Sequence, residues 1–272
     1  MAAPTPSEQT ITTARGVEVV VRQWAPADPA AAEGDILWFH SMAGLAHTEE
    51  TLDRLGQRFR VHAPLWPGYS ELENEGSVED MLDFALLGWD IADTLGLDRP
   101  HLVGHSMGAM VAAEMACLAR RDLSRLVLVA PYGLWLDDHP IPDIFAVLPF
   151  QLAELLLADP ANAAKLLTPG QDMGTDEGLA QFMVQNARRL GTAGKVLFPI
   201  PNRRLSKRLY RLSAPTRVIV GDADALITAP YGEAWQAAVP HAELVSLTGA
   251  GHLANLDQPA ALAEAVAAFV GA

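Results

Sequence analysis

The chain is expected to fold as an α/β protein, a mostly parallel, doubly wound sheet with a helical cap inserted after the sixth strand. Three observations predict this. Short, continuous apolar runs alternate with helical patterns up to about residue 130, as parallel strands buried on both faces and joined by crossover helices would read. Gly104-His105-Ser106-Met107-Gly108 stands between one such run and an Ala- and Met-rich helix, a G-x-S-x-G pattern suited to a sharp strand-to-helix turn. From Pro131 to about Ser213 the alternation stops, and proline-broken helical pieces take its place until Thr216.

Taken in order, residues 1–9 read as a loose lead-in, and Ile11 to Trp24, with four valines around Gly16, as an antiparallel hairpin. Ile36-Leu37-Trp38-Phe39-His40 and Phe59-Arg60-Val61-His62-Ala63 read as buried strands flanking a helix over Glu49 to Gln57. Apolar residues three and four apart predict a helix over Val78 to Leu95, with Ser77 as its N-cap. The strand Pro100 to Val103 leads into the serine turn and a helix over Ala109 to Ala119, and Leu126 to Ala130 is the next strand. The insertion carries helical pieces at Ile144 to Leu157, Pro160 to Leu167, Leu179 to Leu190 and Asn202 to Arg211. Beyond it come a strand at Thr216 to Val220, a helix at Ala229 to Val239, a strand at Glu243 to Leu247 and a last helix from Gln258 to Val270. The organisation is thus a core in two parts, 1–130 and 214–272, around a helical cap, 131–213.

With 272 residues, half of them hydrophobic, and a mean hydropathy of +0.14, the chain can bury a sizeable core. A net charge of −14 argues against nucleic acid and anionic membranes as partners, because phosphate contacts need a basic face. The single cysteine, Cys117, excludes an internal disulfide and reads as a packing residue of its helix. The N-terminus lacks the basic start and apolar stretch of a signal peptide, and no apolar run approaches the roughly 18 residues of a membrane span. A cytoplasmic protein with a small-molecule substrate is the expectation, and a homodimer is left open. No cluster of metal-ligand spacing and no phosphate-binding glycine loop occurs, so neither metal nor cofactor is expected.

A serine is a poor nucleophile without a base oriented by a third group. Three loops at the carboxyl ends of the expected strands carry suitable residues, in the chain order Ser106, then Asp222 and Asp224, then His252. That order, with Gly104 to Gly108, Gly221-Asp222-Ala223-Asp224 and Gly249-Ala250-Gly251-His252, resembles the α/β-hydrolase family of carboxylesterases, lactonases and meta-cleavage C–C bond hydrolases. The resemblance runs from about residue 17 to the end and is weakest in the cap. It implies Ser106 as nucleophile, His252 as general base and acid, and Asp224 as the orienting carboxylate, with Asp222, then Asp137 or Asp138, as alternatives. It also implies an oxyanion hole from the backbone N–H groups of Met42 and Met107. A glycine-bracketed turn of no catalytic role is the plainer reading of the elbow.

Two departures stand out. Relatives usually have His-Gly where this chain has His40-Ser41, which predicts either a reshaped loop or a Ser41 hydroxyl facing the pocket. Leu65-Trp66-Pro67-Gly68-Tyr69-Ser70 replaces an Asp-Leu-Pro-Gly-x-Gly run, a change expected to alter loop packing. Ser41, His105 and Trp135 are the pocket candidates, although His105 and His101 also read as residues that pack or bond locally. The serine at the elbow separates the chain from related dehalogenases and epoxide hydrolases, which use aspartate there.

The reaction so implied is cleavage of a carboxylic ester, or related acyl bond, through an acyl-enzyme. Phe145, Leu148, Phe150, Leu155, Phe182 and Phe198 imply an apolar or aromatic substrate, or simply cap packing. Nine of the nineteen basic residues fall between Arg188 and Arg217, as a solvated face or as partners for a substrate carboxylate. Phe198-Pro199-Ile200-Pro201 with Arg203, Arg204 and Arg208 is similar to the cap-to-core passage of meta-cleavage hydrolases, which makes C–C bond hydrolysis the alternative. A non-catalytic ligand-binding homologue is the third reading.

Overall fold

The chain enters its sheet through an antiparallel hairpin, β1 (Ser7–Thr12) and β2 (Glu18–Trp24). β1 begins at Ser7, inside the expected lead-in. It is an edge strand with its side chains largely in solvent, so it carries no apolar pattern and is held by its ladder to β2 and by Arg22–Glu8 at 2.9 Å. The computed structural model describes residues 6–148, 151–166 and 174–272. Phe150 lies outside them, as do parts of the helices expected over 144–157 and 160–167.

Six further strands follow: β3 (Asp35–Phe39), β4 (Arg60–Pro64), β5 (His101–His105), β6 (Leu126–Val129), β7 (Thr216–Gly221) and β8 (Glu243–Leu247). The sheet order is β1-β2-β4-β3-β5-β6-β7-β8, parallel from β4 onward. β3 to β6 are almost wholly buried, which is why they read as unbroken apolar runs.

From β3 the chain steps outward to β4 and then returns past β3 to β5. Right-handed crossovers therefore put α1 (Glu49–Leu55) on one face and α2 (Met81–Thr94) and α3 (Met107–Leu118) on the other. α2 and α3 pack together; α6 (Ala229–Ala238) lies on β7 and β8. α7 (Ala254–Asp257) leads into α8 (Pro259–Val270), which packs on α1. The reversal of direction falls between β3 and β5, and open α/β sheets bind ligands at the carboxyl ends of the strands at such a point.

Two expectations about helix ends are corrected. α2 is capped by Asp80, whose carboxylate accepts from the N–H groups of Leu82 and Asp83, while the Ser77 hydroxyl is taken by the Asn74 carbonyl at 2.7 Å. The helix expected from Asn202 to Arg211 is two short 3-10 turns, Leu205–Lys207 and Leu209–Arg211, following Arg204 in a left-handed conformation.

Between β6 and β7 the described residues contain no strand. They form α4 (Leu152–Leu156), a 3-10 stretch Pro160–Leu166 and the long α5 (Asp176–Leu197), which runs seven residues beyond the expected Leu190 through Gly191 and Gly194. The basic residues there are mostly ties to the core. Arg188 reaches Glu75 and the Ser70 carbonyl, and Lys195 donates to the carbonyls of Glu75 and Val78 at 2.7 Å each. Arg211 donates to the Cys117 carbonyl at 2.7 Å. Arg208 forks onto the Glu114 carboxylate, which is 3 % exposed on α3.

Removing one partner of that pair leaves a buried carboxylate uncompensated. Because the Arg208 side chain is about a third exposed, Arg208→Leu is expected to cost about 2–3 kcal/mol, somewhat less than a fully buried pair. Urea denaturation reads this directly, and an unchanged midpoint would contradict it.

Candidate active site

Three side chains meet at the carboxyl ends of the strands. Ser106 Oγ lies 2.7 Å from His252 Nε2, and His252 Nδ1 lies 3.0 Å from Asp224 Oδ2. Ser106 and His252 are fully buried and Asp224 is 6 % exposed. With Nδ1–H donating to the carboxylate, His252 presents an unprotonated Nε2 to the serine hydroxyl, the tautomer a general base needs.

The local folding explains the position of each. Ser106 sits at φ 59 and ψ −115, a strained conformation for a residue with a Cβ, and its side chain makes no cap bond to α3. The flanking glycines are required by close approach. A Cβ on Gly108 would fall on the carbonyl oxygens of Phe39 and His40, and one on Gly104 would fall on the backbone of Gly108 and Ala109. Helix α3 can thus begin directly against β3 and β5. The Asp224 carboxylate is pinned by the N–H groups of Leu226 and Ile227, at 2.8 Å each on Oδ1. Asp222, the alternative acid, is exposed and accepts from Gly249 N at 2.7 Å instead. Asp137 accepts from the Trp135 indole, and Asp138 is exposed.

The two histidines beside these residues hold loops. His40 donates from Nδ1 to the Ser41 carbonyl at 2.6 Å and accepts at Nε2 from Trp66 N at 3.1 Å, joining the loops after β3 and β4. His105 donates from Nε2 to the His252 carbonyl at 2.8 Å, so its ring is engaged beneath the His252 loop. Burial pushes both imidazoles down to about 4; Arg189 adds to this at His40 and His252 at His105, against their backbone bonds. Both are neutral at pH 7.

Ser41 is buried and takes no positive φ, and its Oγ accepts from Ala43 N at 3.1 Å, within its own loop. Met42 is held by the Tyr69 hydroxyl, which donates to its carbonyl at 3.1 Å. Burial raises the Tyr69 phenol, which stays a neutral donor. Met107 opens α3, so its N–H belongs to the unpaired first turn of the helix. In the loop after β4, Leu65 is buried and Trp66 stacks on Phe39 with centroids 4.9 Å apart. Trp135 lines a small apolar cavity with Tyr132, whose ring packs edge-on against His252.

One feature went unread in the sequence, and one of the nine basic residues stands apart from the rest. Asp257, five residues past the histidine, accepts from Gly251 N and Ala158 N through one oxygen, at 2.9 Å each, clasping the insertion to the His252 loop; Leu253 N adds a bond to the Leu156 carbonyl. Arg189 lines a cavity of about 290 Å³ beside Gly44 and Tyr69, and its guanidinium has no hydrogen bond or ion pair among the described residues. A larger surface cavity, about 570 Å³, lies elsewhere, between α2 and the Arg208–Glu114 pair.

A profile of the Alpha/beta hydrolase family matches residues 34–265, most of the chain. The chain belongs to this family. It is 28 % identical over 218 residues to a 2-hydroxy-6-oxo-6-phenylhexa-2,4-dienoate hydrolase of Burkholderia cepacia, covering 72 % of each chain. Its fold matches that of a bacterial membrane phospholipase A at a TM-score of 0.78 and 19 % identity, over 97 % of this chain and 86 % of the other. It likewise matches naproxen esterase of Bacillus subtilis at 0.71 and 17 %, over 98 % and 92 %. This alpha/beta hydrolase has no helix, among the described residues, long and apolar enough to cross a membrane.

The buried histidines set a pH dependence. Their folded pKa values lie below the unfolded value near 6.5, so on acidification from 6.5 towards 4 the unfolded chain takes up protons that the native state refuses. Stability is expected to fall through that window by about 3 kcal/mol per imidazole at its lower end. Urea midpoints that stay flat from pH 7 to 4.5 would contradict this. Gly108→Ala is expected to displace α3 from β3, costing about 2–3 kcal/mol and lowering turnover about 100-fold. Gly191→Ala, in α5 with open space around it, is expected to stabilise by about 0.5–1 kcal/mol in the same denaturation assay.

Proposed function

We propose that this protein is a serine hydrolase that cleaves a carboxylic ester, or a closely related acyl bond, of an apolar or aromatic small molecule. The observation that carries the reading is the unbroken chain of hydrogen bonds Ser106–His252–Asp224 at the sheet's switch point. Ser106 Oγ attacks the scissile carbonyl while its proton passes to His252 Nε2. The oxyanion so formed lies at the start of α3, where the Met107 N–H, the Met42 N–H and the positive end of the helix dipole stabilise it. Collapse expels the alcohol, which takes the proton from His252. Water then attacks the acyl-enzyme, gives its proton to His252, and releases the acid and free Ser106. Asp224 holds the imidazole in the working tautomer and stabilises the imidazolium.

A second reading is hydrolysis of a C–C bond in a vinylogous keto acid, and one observation favours it. The unpaired Arg189 guanidinium, close enough to lower His40 and His47, offers a partner for a substrate carboxylate on the side of the loop after β3. The Burkholderia cepacia relative, named for a dienoate substrate, lends it support.

A p-nitrophenyl ester series from acetate to laurate tests the first reading. Wild-type turnover is expected, with loss to background in Ser106→Ala and a drop of about 10⁴ in kcat for Asp224→Asn, which breaks the tautomer without removing the side chain. Turnover that survives in Ser106→Ala would sink the assignment. No ester turnover, with rapid cleavage of a 2-hydroxy-6-oxo-dienoate and a KM raised about 10-fold or more in Arg189→Met, would favour the second reading.

A further inference from the structure

Tyr132 follows β6 by three residues, after Ala130 at a positive φ of 43. Its ring is 2 % exposed and meets the His252 imidazole edge-on, with centroids 5.8 Å apart and planes at 67°. Its hydroxyl is sealed from solvent and has no hydrogen-bond partner among the described residues. Polar groups of the neighbouring segments have other partners: the Trp135 indole in Asp137, the Tyr231 hydroxyl in the His139 carbonyl, the Trp235 indole in the Pro131 carbonyl, and the Asp143 carboxylate in the Phe145 N–H. Other buried polar atoms also lack partners, but none of their residues is in ring contact with His252.

Packing does not explain this hydroxyl. Tyr132 lines a mainly apolar cavity with Trp135, Ile141, Ile144, Phe145 and Leu197, in which Asp143 is the one charged lining residue and phenylalanine would fill the same space. A hydroxyl buried without a partner costs about 1–3 kcal/mol, so Tyr132→Phe should relieve the native state. A polar group held unpaired at the end of a ring that meets His252, in a wall apolar apart from Asp143, is suited to fix the orientation of a ligand. Burial keeps the phenol neutral, so it donates, and its partner must be an oxygen acceptor.

We propose that Tyr132 donates a hydrogen bond to a second oxygen on the substrate, a carbonyl or hydroxyl a few bonds from the scissile carbonyl, and so selects oxygenated esters over plain ones. The proposal deepens, and rests on, the ester-cleaving reading of the same site. β6 and β3 flank the Ser106 strand on opposite sides, which puts Tyr132 and the Met42 loop on opposite sides of the nucleophile. A substrate spanning both would be read at the reacting carbonyl by the backbone and at its second oxygen by Tyr132.

Matched substrates test this: p-nitrophenyl hexanoate against its 4-oxo and 5-oxo analogues for an oxygen on the acid side, and butyl against 3-oxobutyl hexanoate for one on the alcohol side. In the wild type, kcat/KM is expected to favour the oxo member of one pair. In Tyr132→Phe the oxo-to-plain ratio is expected to fall about 10-fold, the worth of one hydrogen bond, while Tm rises by about 2–4 °C. A ratio unchanged by the substitution in both pairs, or a lower Tm, would overturn the proposal, the latter by showing that the hydroxyl has a structural partner. Absence of ester turnover in the wild type would sink the ester reading alone. Calorimetric binding of 5-oxohexanoate and hexanoate then decides: tighter oxo-acid binding in wild type that is equalised in Tyr132→Phe supports the role, and equal affinities in wild type overturn it.

Discussion

The close contact of helix α3 with the ends of β3 and β5 is the constraint on which the rest of the site depends. It is available because Gly104 and Gly108 have no Cβ to meet the facing backbone. It puts Ser106 in a conformation of about 1–3 kcal/mol strain, with the serine hydroxyl turned away from its own helix and towards His252. The same contact brings the unpaired N–H groups of the first turn beside the loop that carries Met42. Strain at one residue is thus the consequence of bringing the Ser106 hydroxyl, a helix end and a neighbouring loop to one point. The large buried sheet, with Trp38, Phe39, Val103 and Leu128 inaccessible to solvent, is rigid enough to sustain it.

Around this point the structure is held by polar bonds to backbone groups. His40 links two loops, His105 supports the His252 loop, and Asp257 joins that loop to the insertion. The insertion itself is bound to the core by Arg188, Lys195, Arg208 and Arg211, each reaching a carboxylate or carbonyl of the core or its loops. What looks along the sequence like a basic patch is, in three dimensions, a row of ties in an otherwise acidic protein. Arg189 differs from them in facing a cavity beside the Met42 loop with its guanidinium unpaired.

The sheet and the three site loops were legible in the sequence because their signals are local. Buried parallel strands such as Ile36 to Phe39 and Leu126 to Val129 read as apolar runs, and G-x-S-x-G encodes its own turn. The choice of Asp224 over Asp222 was not local. It depends on which carboxylate the N–H groups of Leu226 and Ile227 can reach, a matter of loop path. The first residues of β1 were missed because an edge strand needs no apolar face, and the turns after Asn202 were read as a helix because their leucines recur at helical spacing. The roles of Asp257 and Tyr132 were invisible for a related reason. A carboxylate binding two N–H groups ninety-nine and six residues away, and a phenol beside a histidine from another strand, leave no periodic mark.

The central claim is that Ser106 is a nucleophile activated by His252. A fluorophosphonate reagent tests it without assuming any substrate. The account predicts one covalent adduct per chain by intact mass, located on Ser106 by peptide sequencing and lost in His252→Ala. A wild-type protein that takes no adduct, or takes it at another residue, would contradict the account.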